Sequence, residues 1–194
     1  MRKLELKNQR DKKDRKKQWG VGIVLVGLMI LSTLGFAFQG GDSDSKETKV
    51  IYRGFEFIYQ SGYWFTDTGS FNLALKYNPS QVNLTTFSVN PVESYFNAPF
   101  YVFSESNEAE MEIYRNFDPR FNNIVERIQP ACIEEKECIG DLPVKTCESN
   151  LIIIVEDEEA GITQEEGCVF IRGPLETLTQ KTDEFLFKIF RVTQ

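Results

Sequence analysis

Four cysteines are the residues whose type and spacing indicate chemistry most directly. They lie within 37 residues of one another in the C-terminal half of the chain, at Cys132, Cys138, Cys147 and Cys168. An even number of cysteines in an oxidising compartment predicts disulfides. A zinc site is the alternative, but zinc-binding cysteines usually come in close pairs with two to four residues between them. Here five, eight and twenty residues separate successive cysteines, so we expect two disulfides.

The hydrophobic pattern around these cysteines indicates how they pair. Residues 151–155 form a continuous apolar, β-branched run, which is typical of a strand buried on both faces. Residues 162–172 are expected to return beside it as its hairpin partner. Cys147 precedes the first strand and Cys168 lies on the second, so the two side chains approach each other across the ladder. We therefore predict two disulfide pairs, Cys147 with Cys168 and Cys132 with Cys138.

No residue pattern in the chain predicts a catalytic or cofactor site. The chain contains no histidine, which excludes Ser-His-Asp and Cys-His hydrolases, histidine-ligated metals and imidazole bases. The two common glycine-rich phosphate-binding motifs are also missing from the sequence. Asp and Glu total 29, and two of them could act as a glycosidase pair, but sequence alone brings no particular pair together. We therefore predict no enzymatic activity, no cofactor and no catalytic residue.

Two further patterns concern the surface of the folded region. The tripeptide 83–85, Asn-Leu-Thr, is an N-glycosylation sequon, which makes Asn83 a candidate glycan site if the domain is exported. The acidic run 156–159, with Glu165 and Glu166 expected across the turn, could hold Ca²⁺ through carboxylate oxygens. This run lacks the alternating spacing of an EF-hand loop. We therefore predict a solvated hairpin tip and no metal site.

The N-terminal region decides in which compartment the rest of the chain lies. Residues 19–39, WGVGIVLVGLMILSTLGFAFQ, are uncharged and almost entirely apolar, long enough to cross a hydrocarbon layer of roughly 30 Å as a helix. A cleaved signal peptide is one alternative, because residues 35–37 loosely resemble a cleavage site. The apolar region would be unusually long for a signal peptide. The other alternative is a soluble core helix, which would carry a polar face. We predict a retained transmembrane helix, a signal anchor, over residues 19–39.

The distribution of charge predicts the orientation of this helix. Residues 1–18 contain nine Lys and Arg against three acids, whereas the whole chain has a net charge of −7. Basic residues beside a span tend to stay on the cytoplasmic side. We therefore predict a single-pass protein of the cell membrane, with a basic cytoplasmic tail over 1–18 and an extracytoplasmic C-terminal domain. The tail could also lie on anionic headgroups, but no basic patch continues into the domain, so we expect no nucleic-acid partner.

The remaining sequence predicts a linker followed by one domain. Residues 40–49 are small and polar, as in a flexible linker. Residues 50–194 are enough for one extracytoplasmic domain with its own core. Its first part alternates aromatic and polar residues around Gly-containing turns, which predicts an antiparallel meander. The candidate strands before the cysteines cover residues 50–59, 62–66, 71–77, 84–89, 100–103 and 111–117.

Two helices are predicted to pack on these strands. Asp118 is a suitable N-cap and Pro119 a suitable first helical residue, and apolar residues then follow at helical spacing until Pro130 ends the helix. A second helix begins after Gly173 and Pro174, with one apolar stripe. The fold class that follows is α+β, with one mixed or antiparallel β-sheet packed by two helices.

The segment 113–190 resembles uncharacterised archaeal single-pass membrane proteins with a four-cysteine C-terminal domain. The residues that carry the resemblance are IYRNFDP, ACIEEKEC, DLPVKTC and ITQEEGCVFIRG, followed by the closing amphipathic helix. All four cysteines of the framework are kept. The resemblance implies the membrane topology and the disulfides, and it implies no functional residue.

These features lead to one expected function and two alternatives. We expect a membrane-anchored extracytoplasmic domain that binds a protein partner or ligand at the cell surface, with the membrane contacted through residues 19–39. An anchored hydrolase that uses carboxylates is the first alternative, and a pocket with two close carboxylates of shifted pKa would favour it. An accessory subunit of a membrane complex is the second, and a large exposed apolar patch would favour it.

Overall fold

The structure is a computed structural model that describes residues 22–31, 48–134, 136 and 140–193. The chain divides into two units, residues 1–46 and 47–194.

In the first unit, residues 22–31 form a helix, α1. Its large apolar side chains, from Ile23 to Leu31, are all more than half exposed. Among the residues that the structure describes, no helix combines the length and the hydropathy needed to cross a membrane. The predicted span 19–39 extends beyond α1 at both ends, and those ends lie outside the described residues, as do the tail 1–18 and residues 40–47.

The second unit is α+β, as predicted, but its strands form two sheets rather than one. The first sheet contains β1 to β4 and the second contains β5 to β9. The strands are Thr48–Tyr52 (β1), Phe55–Gln60 (β2), Tyr63–Asp67 (β3), Asn72–Leu75 (β4), Pro99–Ser104 (β5), Arg127–Pro130 (β6), Asn150–Glu156 (β7), Gly161–Glu165 (β8) and Cys168–Gly173 (β9). The helices are Asn107–Phe117 (α2) and Leu178–Ile189 (α3), with 3₁₀ turns at Val92–Tyr95 and Leu175–Thr177.

The first sheet is the predicted antiparallel meander, in the order β1-β2-β3-β4. Its first two turns are the pairs Arg53-Gly54 and Ser61-Gly62, and all four residues have positive φ. Positive φ at both central residues gives the turn whose twist matches a two-residue hairpin. The first of these turns divides the predicted strand 50–59 into β1 and β2.

The second sheet is mixed, in the order β6-β5-β7-β9-β8. Strand β7 lies parallel to both of its neighbours and is buried on both faces, as its apolar sequence predicts. The predicted hairpin between residues 151–155 and 162–172 is wrong. The second segment is itself a hairpin of β8 and β9, and β9 inserts beside β7 in the parallel direction.

Helix α2 replaces the predicted strand 111–117, and the predicted helix between Asp118 and Pro130 is wrong. Ser106 caps α2 by accepting a hydrogen bond from the backbone N–H of Ala109. The helix ends at Phe117 because a residue before proline avoids the helical conformation, and Asp118 precedes Pro119. The segment after Asp118 consists of turns that lead into β6.

Helix α3 is confirmed and lies between the two sheets. Phe187 packs edge-on against Phe57 of the first sheet, with ring centroids 6.1 Å apart. The same helix contacts β7, β8 and β9 of the second sheet and also α2. Ten of its twelve residues are buried, so it has no solvated face. The main core therefore lies around α3, and a smaller one lies on the opposite face of the second sheet, around Leu151 and Ile153.

Residues 77–90, which we call the strap, form a turn over 78–81 followed by a segment without regular secondary structure. The predicted strand 84–89 lies in it, but no strand is formed there. The strap is held by its backbone N–H groups, which donate to side chains of the second half of the chain. Tyr77 donates to Asp183, Thr85 donates to Glu184, and Asn90 donates to Gln164.

Candidate functional site

The disulfide between Cys147 and Cys168 is confirmed, with 4.7 Å between the two Cα atoms. Cys168 is the first residue of β9, and Cys147 lies in the loop that leads into β7. Because β7 and β9 are parallel, their first residues lie at the same edge of the sheet. The sequence therefore predicts the right pair, although it predicts the wrong strand direction.

Gly167 brings the two ends of this disulfide loop together. Its backbone N–H donates to the carbonyl of Cys147 at 2.8 Å, and its carbonyl accepts from the N–H of Leu151 at 3.0 Å. A Cβ atom at this position would lie 2.4 Å from the carbonyl oxygen of Ser149. Only glycine fits so close an approach of two backbone segments.

The second predicted disulfide involves Cys138, which lies outside the described residues. Cys132 is disulfide-bonded, and its backbone forms an isolated parallel bridge with Val144. The zinc alternative is wrong, because Cys147 and Cys168 are joined to each other and offer no thiolate. Among the described residues no group of His, Cys, Asp or Glu side chains is arranged to hold a metal ion.

The two surface predictions fall on exposed residues. Asn83 is exposed on the strap, and Thr85 of the same sequon donates its hydroxyl to Glu184 at 2.6 Å. In the acidic run, Glu156 ends β7, and residues 157–159 are solvated between β7 and β8. The glycan remains a prediction.

The most unusual chemistry in the domain is a pair of buried carboxyl groups that the sequence did not indicate. Glu112 of α2 is 2% exposed and Asp183 of α3 is fully buried. Oε1 of Glu112 lies 2.6 Å from Nη1 of Arg115, and Oδ2 of Asp183 accepts the backbone N–H of Tyr77 at 2.8 Å. The other two oxygens, Oε2 of Glu112 and Oδ1 of Asp183, are buried without a hydrogen-bond partner among the described residues, and the charges of the two groups interact, so a proton on one of them is favoured.

The fold raises the pKa of Asp183 more strongly than that of Glu112. Burial raises the pKa of Asp183 well above its usual value, and the neighbouring charge of Glu112 raises it further. Burial also raises the pKa of Glu112, but the hydrogen bond and the charge of Arg115 oppose that rise. The surroundings therefore favour the neutral form of Asp183, while Arg115 favours the ionised form of Glu112.

Glu112 lies at the base of a cleft of about 260 Å³, which Asp183 does not reach. The cleft opens between the first sheet and helices α2 and α3. The side chains that line it are Tyr63, Lys76, Asn107, Glu108, Met111, Glu112, Arg115 and Thr179.

Two cations lie against one aromatic ring in this cleft. The guanidinium carbon of Arg115 is 4.0 Å from the ring centroid of Tyr63, and Nζ of Lys76 is 5.8 Å from the same centroid. Glu112 fixes the guanidinium from one edge. Arrangements of this kind bind ligands, because an aromatic face supplies apolar contact and fixed cations supply charge-assisted hydrogen bonds.

The chain matches no protein-family model, no curated protein and no solved structure. The resemblance to archaeal single-pass membrane proteins therefore stays a prediction.

The central residues of the cleft and its support are Tyr63, Lys76, Glu112, Arg115 and Asp183. None of them was a candidate in the sequence. They come from β3, the position after β4, α2 and α3, and only the fold brings them together. One feature could have indicated the buried carboxyl group of Asp183. This residue lies two positions before the apolar run Phe185-Leu186, within a helix that has no fully polar face. A charged residue in such a helix indicates a buried partner.

Proposed function

We propose that the chain is a single-pass membrane protein whose extracytoplasmic domain binds a ligand or a segment of a partner protein in the cleft beside Tyr63. The membrane helix at residues 19–39 fixes the location, and residues 40–47 connect it to the domain. Tethering raises the local concentration of the domain at the membrane surface.

Three observations support the membrane part of this proposal. The apolar side chains of α1 are exposed, as expected of residues that face lipid. Basic residues crowd the tail 1–18. The disulfide between Cys147 and Cys168 fits a domain in an oxidising compartment, because structural disulfides are rare in the cytosol.

The observation that carries the binding part is the placing of Arg115 and Lys76 against the ring of Tyr63 at the wall of an open cleft. Held side chains lose little conformational freedom when a ligand binds, so a prearranged site binds more tightly. Met111, which is 54% exposed at the same cleft, adds a flexible apolar side chain that adapts to a partner.

The test uses the full chain in cells whose outer face can be treated with protease. A benzophenone photo-crosslinking residue replaces Met111 in one variant and Phe121 in the control, since Phe121 is 72% exposed and does not line the cleft. We expect the chain in the membrane fraction, the domain digested from outside, and a discrete cross-linked product from position 111 that position 121 does not give. A cytosolic chain with reduced Cys147 and Cys168, or equal cross-linking from both positions, would contradict the proposal.

A second candidate function, a carboxyl-based hydrolase, is favoured by one observation. Glu112 lines the cleft, and burial raises its pKa, as in general acids. However, Asp183 is fully buried and does not line the cleft, so it cannot touch a substrate. The binding function is therefore the better supported.

A direct assay separates the two functions. If Glu112 acts as a general acid, hydrolysis of a chromogenic glycoside or ester by the full chain disappears in Glu112→Gln. Binding without turnover is the expected result.

A further inference from the structure

We propose that the cleft recognises an oxyanion, either a carboxylate or a phosphate group, which is held between Lys76 and Arg115 at the ring of Tyr63. This inference rests on the proposed function, because it names the chemical class of the ligand for the same cleft. The apolar part of that ligand packs against Tyr63 and Met111.

Arg115 keeps donors free for such a group. A guanidinium has five N–H donors, and the structure gives Arg115 one acceptor in the described part of the chain, Oε1 of Glu112 at 2.6 Å. Its side chain is 22% exposed, so the remaining edge reaches the cleft. Glu112 is thus a positioning residue: it holds the guanidinium beside the ring of Tyr63 and leaves a planar fork that suits an oxyanion.

Lys76 supplies the second cation. Among the residues that the structure describes, Nζ of Lys76 forms no ion pair, and the side chain is exposed. Arg115, by contrast, already neutralises Glu112. Lys76 therefore contributes a positive charge that no described acid balances by contact, and its flexible stem lets the ammonium group move onto a ligand.

The two acids of the cleft do not repel an anion equally. The charge of Glu112 is paired with Arg115, and its side chain is only 3% exposed. Glu108 is exposed at the first turn of α2 and remains free to turn toward solvent. The carboxylate of Glu108 is suited to a hydrogen-bond donor elsewhere on the ligand.

The size of the cleft limits the ligand. A volume of about 260 Å³ is slightly below that of common small-molecule pockets. It accommodates a small aromatic or aliphatic acid, or the charged end of a longer molecule. A larger ligand would leave most of its surface outside the cleft.

The experiment measures binding of three probes to the full chain in detergent, by backbone amide NMR shifts. Sodium benzoate carries a carboxylate, phenyl phosphate carries a phosphate, and benzyl alcohol is a neutral molecule of similar shape. We expect benzoate, phenyl phosphate or both to shift the amides of Tyr63, Lys76 and Arg115 with saturation. Benzyl alcohol should bind at least about tenfold more weakly, because it makes no charge-assisted hydrogen bond. Whichever anion binds more tightly identifies the source of the oxyanion.

Variants locate the binding site. Lys76→Gln should weaken the tighter anion about tenfold without unfolding the domain, because Lys76 is exposed and unpaired within the described residues. Arg115→Lys should weaken it also, since an ammonium cannot offer the planar fork. Arg172→Gln is the matched control: Arg172 lies 4.5 Å from the ring of Phe170, outside the cleft, and its loss should change nothing.

Two outcomes would overturn the inference: equal binding of benzyl alcohol and the anions, or an unchanged affinity in Lys76→Gln. Its failure can be told apart from failure of the proposed function. If position 111 cross-links a partner in the membrane while no anion binds, the cleft is a binding site for another class of ligand. If position 111 also gives no specific product, the proposed function fails as well.

Discussion

Asn116 pairs with Ala74 as a residue of an adjacent strand would. Its Oδ1 accepts the backbone N–H of Ala74 at 2.9 Å, and its Nδ2 donates to the carbonyl of Ala74 at 3.0 Å. Asn72 lies two residues before Ala74 in β4, and Asn122 makes the same pair of bonds with it, at 3.0 and 2.9 Å. Two side-chain amides thus occupy the free edge of β4, where unpaired backbone groups would otherwise invite another chain.

Asn116→Ala should lower the free energy of unfolding by about 2–3 kcal/mol, because it removes both bonds and leaves the backbone groups of Ala74 unsatisfied in a partly buried position. Urea denaturation monitored by circular dichroism measures the change. Asn122→Ala is the matched control: its two bonds to Asn72 are exposed, so water replaces them, and only its bond to the carbonyl of Asn116 is partly buried, so the loss should stay below about 1 kcal/mol. Equal losses of unfolding free energy in the two variants would show that the bonds at Ala74 stabilise the domain no more than the bonds at Asn72.

Asp183→Asn should change how stability depends on pH. Because the pKa of Asp183 is raised in the fold, the native state binds its proton more tightly than the unfolded chain. This contribution is fully present below the unfolded value of about 3.9 and is lost as the pH rises through the raised pKa. An asparagine keeps an acceptor for Tyr77 without titrating.

The variant should therefore show a flatter decline in the free energy of unfolding as pH rises above about 4. Chemical denaturation at a series of pH values measures the decline. The carboxyl groups of Glu105 and Asp118 have lowered pKa values, mainly through Lys136 and Arg120 respectively. Their contribution to stability is therefore lost only as the pH falls below about 4, outside the range used to test Asp183. A variant with the wild-type slope would mean that Asp183 is not the protonated member of the pair.

Gly167→Ala should destabilise the domain by about 1–3 kcal/mol, since the new Cβ would overlap backbone atoms of Ser149 and Cys147 that have little room to move. Gly161→Ala provides the control within the same hairpin, because no atom lies within 4 Å of its added Cβ. Thermal unfolding of both variants under oxidising conditions gives the comparison. Similar unfolding temperatures would argue against a tight crossing at residue 167.

Thr85→Val tests how much the hydroxyl bond from Thr85 to Glu184 stabilises the position of the strap. It removes the hydroxyl bond to Glu184, a buried carboxylate that also pairs with Lys181 at 2.8 Å, and should cost about 1–2 kcal/mol. It also destroys the sequon at Asn83. Asn83→Gln destroys only the sequon, so any glycan disappears in both variants while unfolding free energy falls only in Thr85→Val. A loss of stability in Asn83→Gln of the same size would assign the effect to the glycan instead.

The parts of the fold that follow from local sequence were predicted well. The meander depends on alternating residues and on turns such as Arg53-Gly54, and the central strand β7 depends on one apolar run. The disulfide between Cys147 and Cys168 was predicted despite the wrong strand direction, because the predicted antiparallel partner 162–172 and the observed parallel β9 both place Cys168 at the start of β7.

Helix α2 was missed because part of its buried face is polar. Its buried residues follow helical spacing, but two of them, Glu112 and Asn116, are types that sequence reasoning assigns to the surface. Their partners lie far along the chain: Ala74 is 42 residues from Asn116. The cleft was missed for the same reason, since its residues become neighbours only after the first sheet has packed beside α2 and α3.

The central place of α3 has a consequence for how the domain is made. This helix follows every strand, yet it contacts both sheets: Phe187 packs on Phe57 of the first sheet, and the helix contacts β7, β8 and β9 of the second. As the chain emerges from a ribosome or a translocation channel, the faces of both sheets that pack on α3 therefore remain exposed to water until residues 178–189 have also emerged. Folding of the domain should therefore be completed late and in one cooperative step.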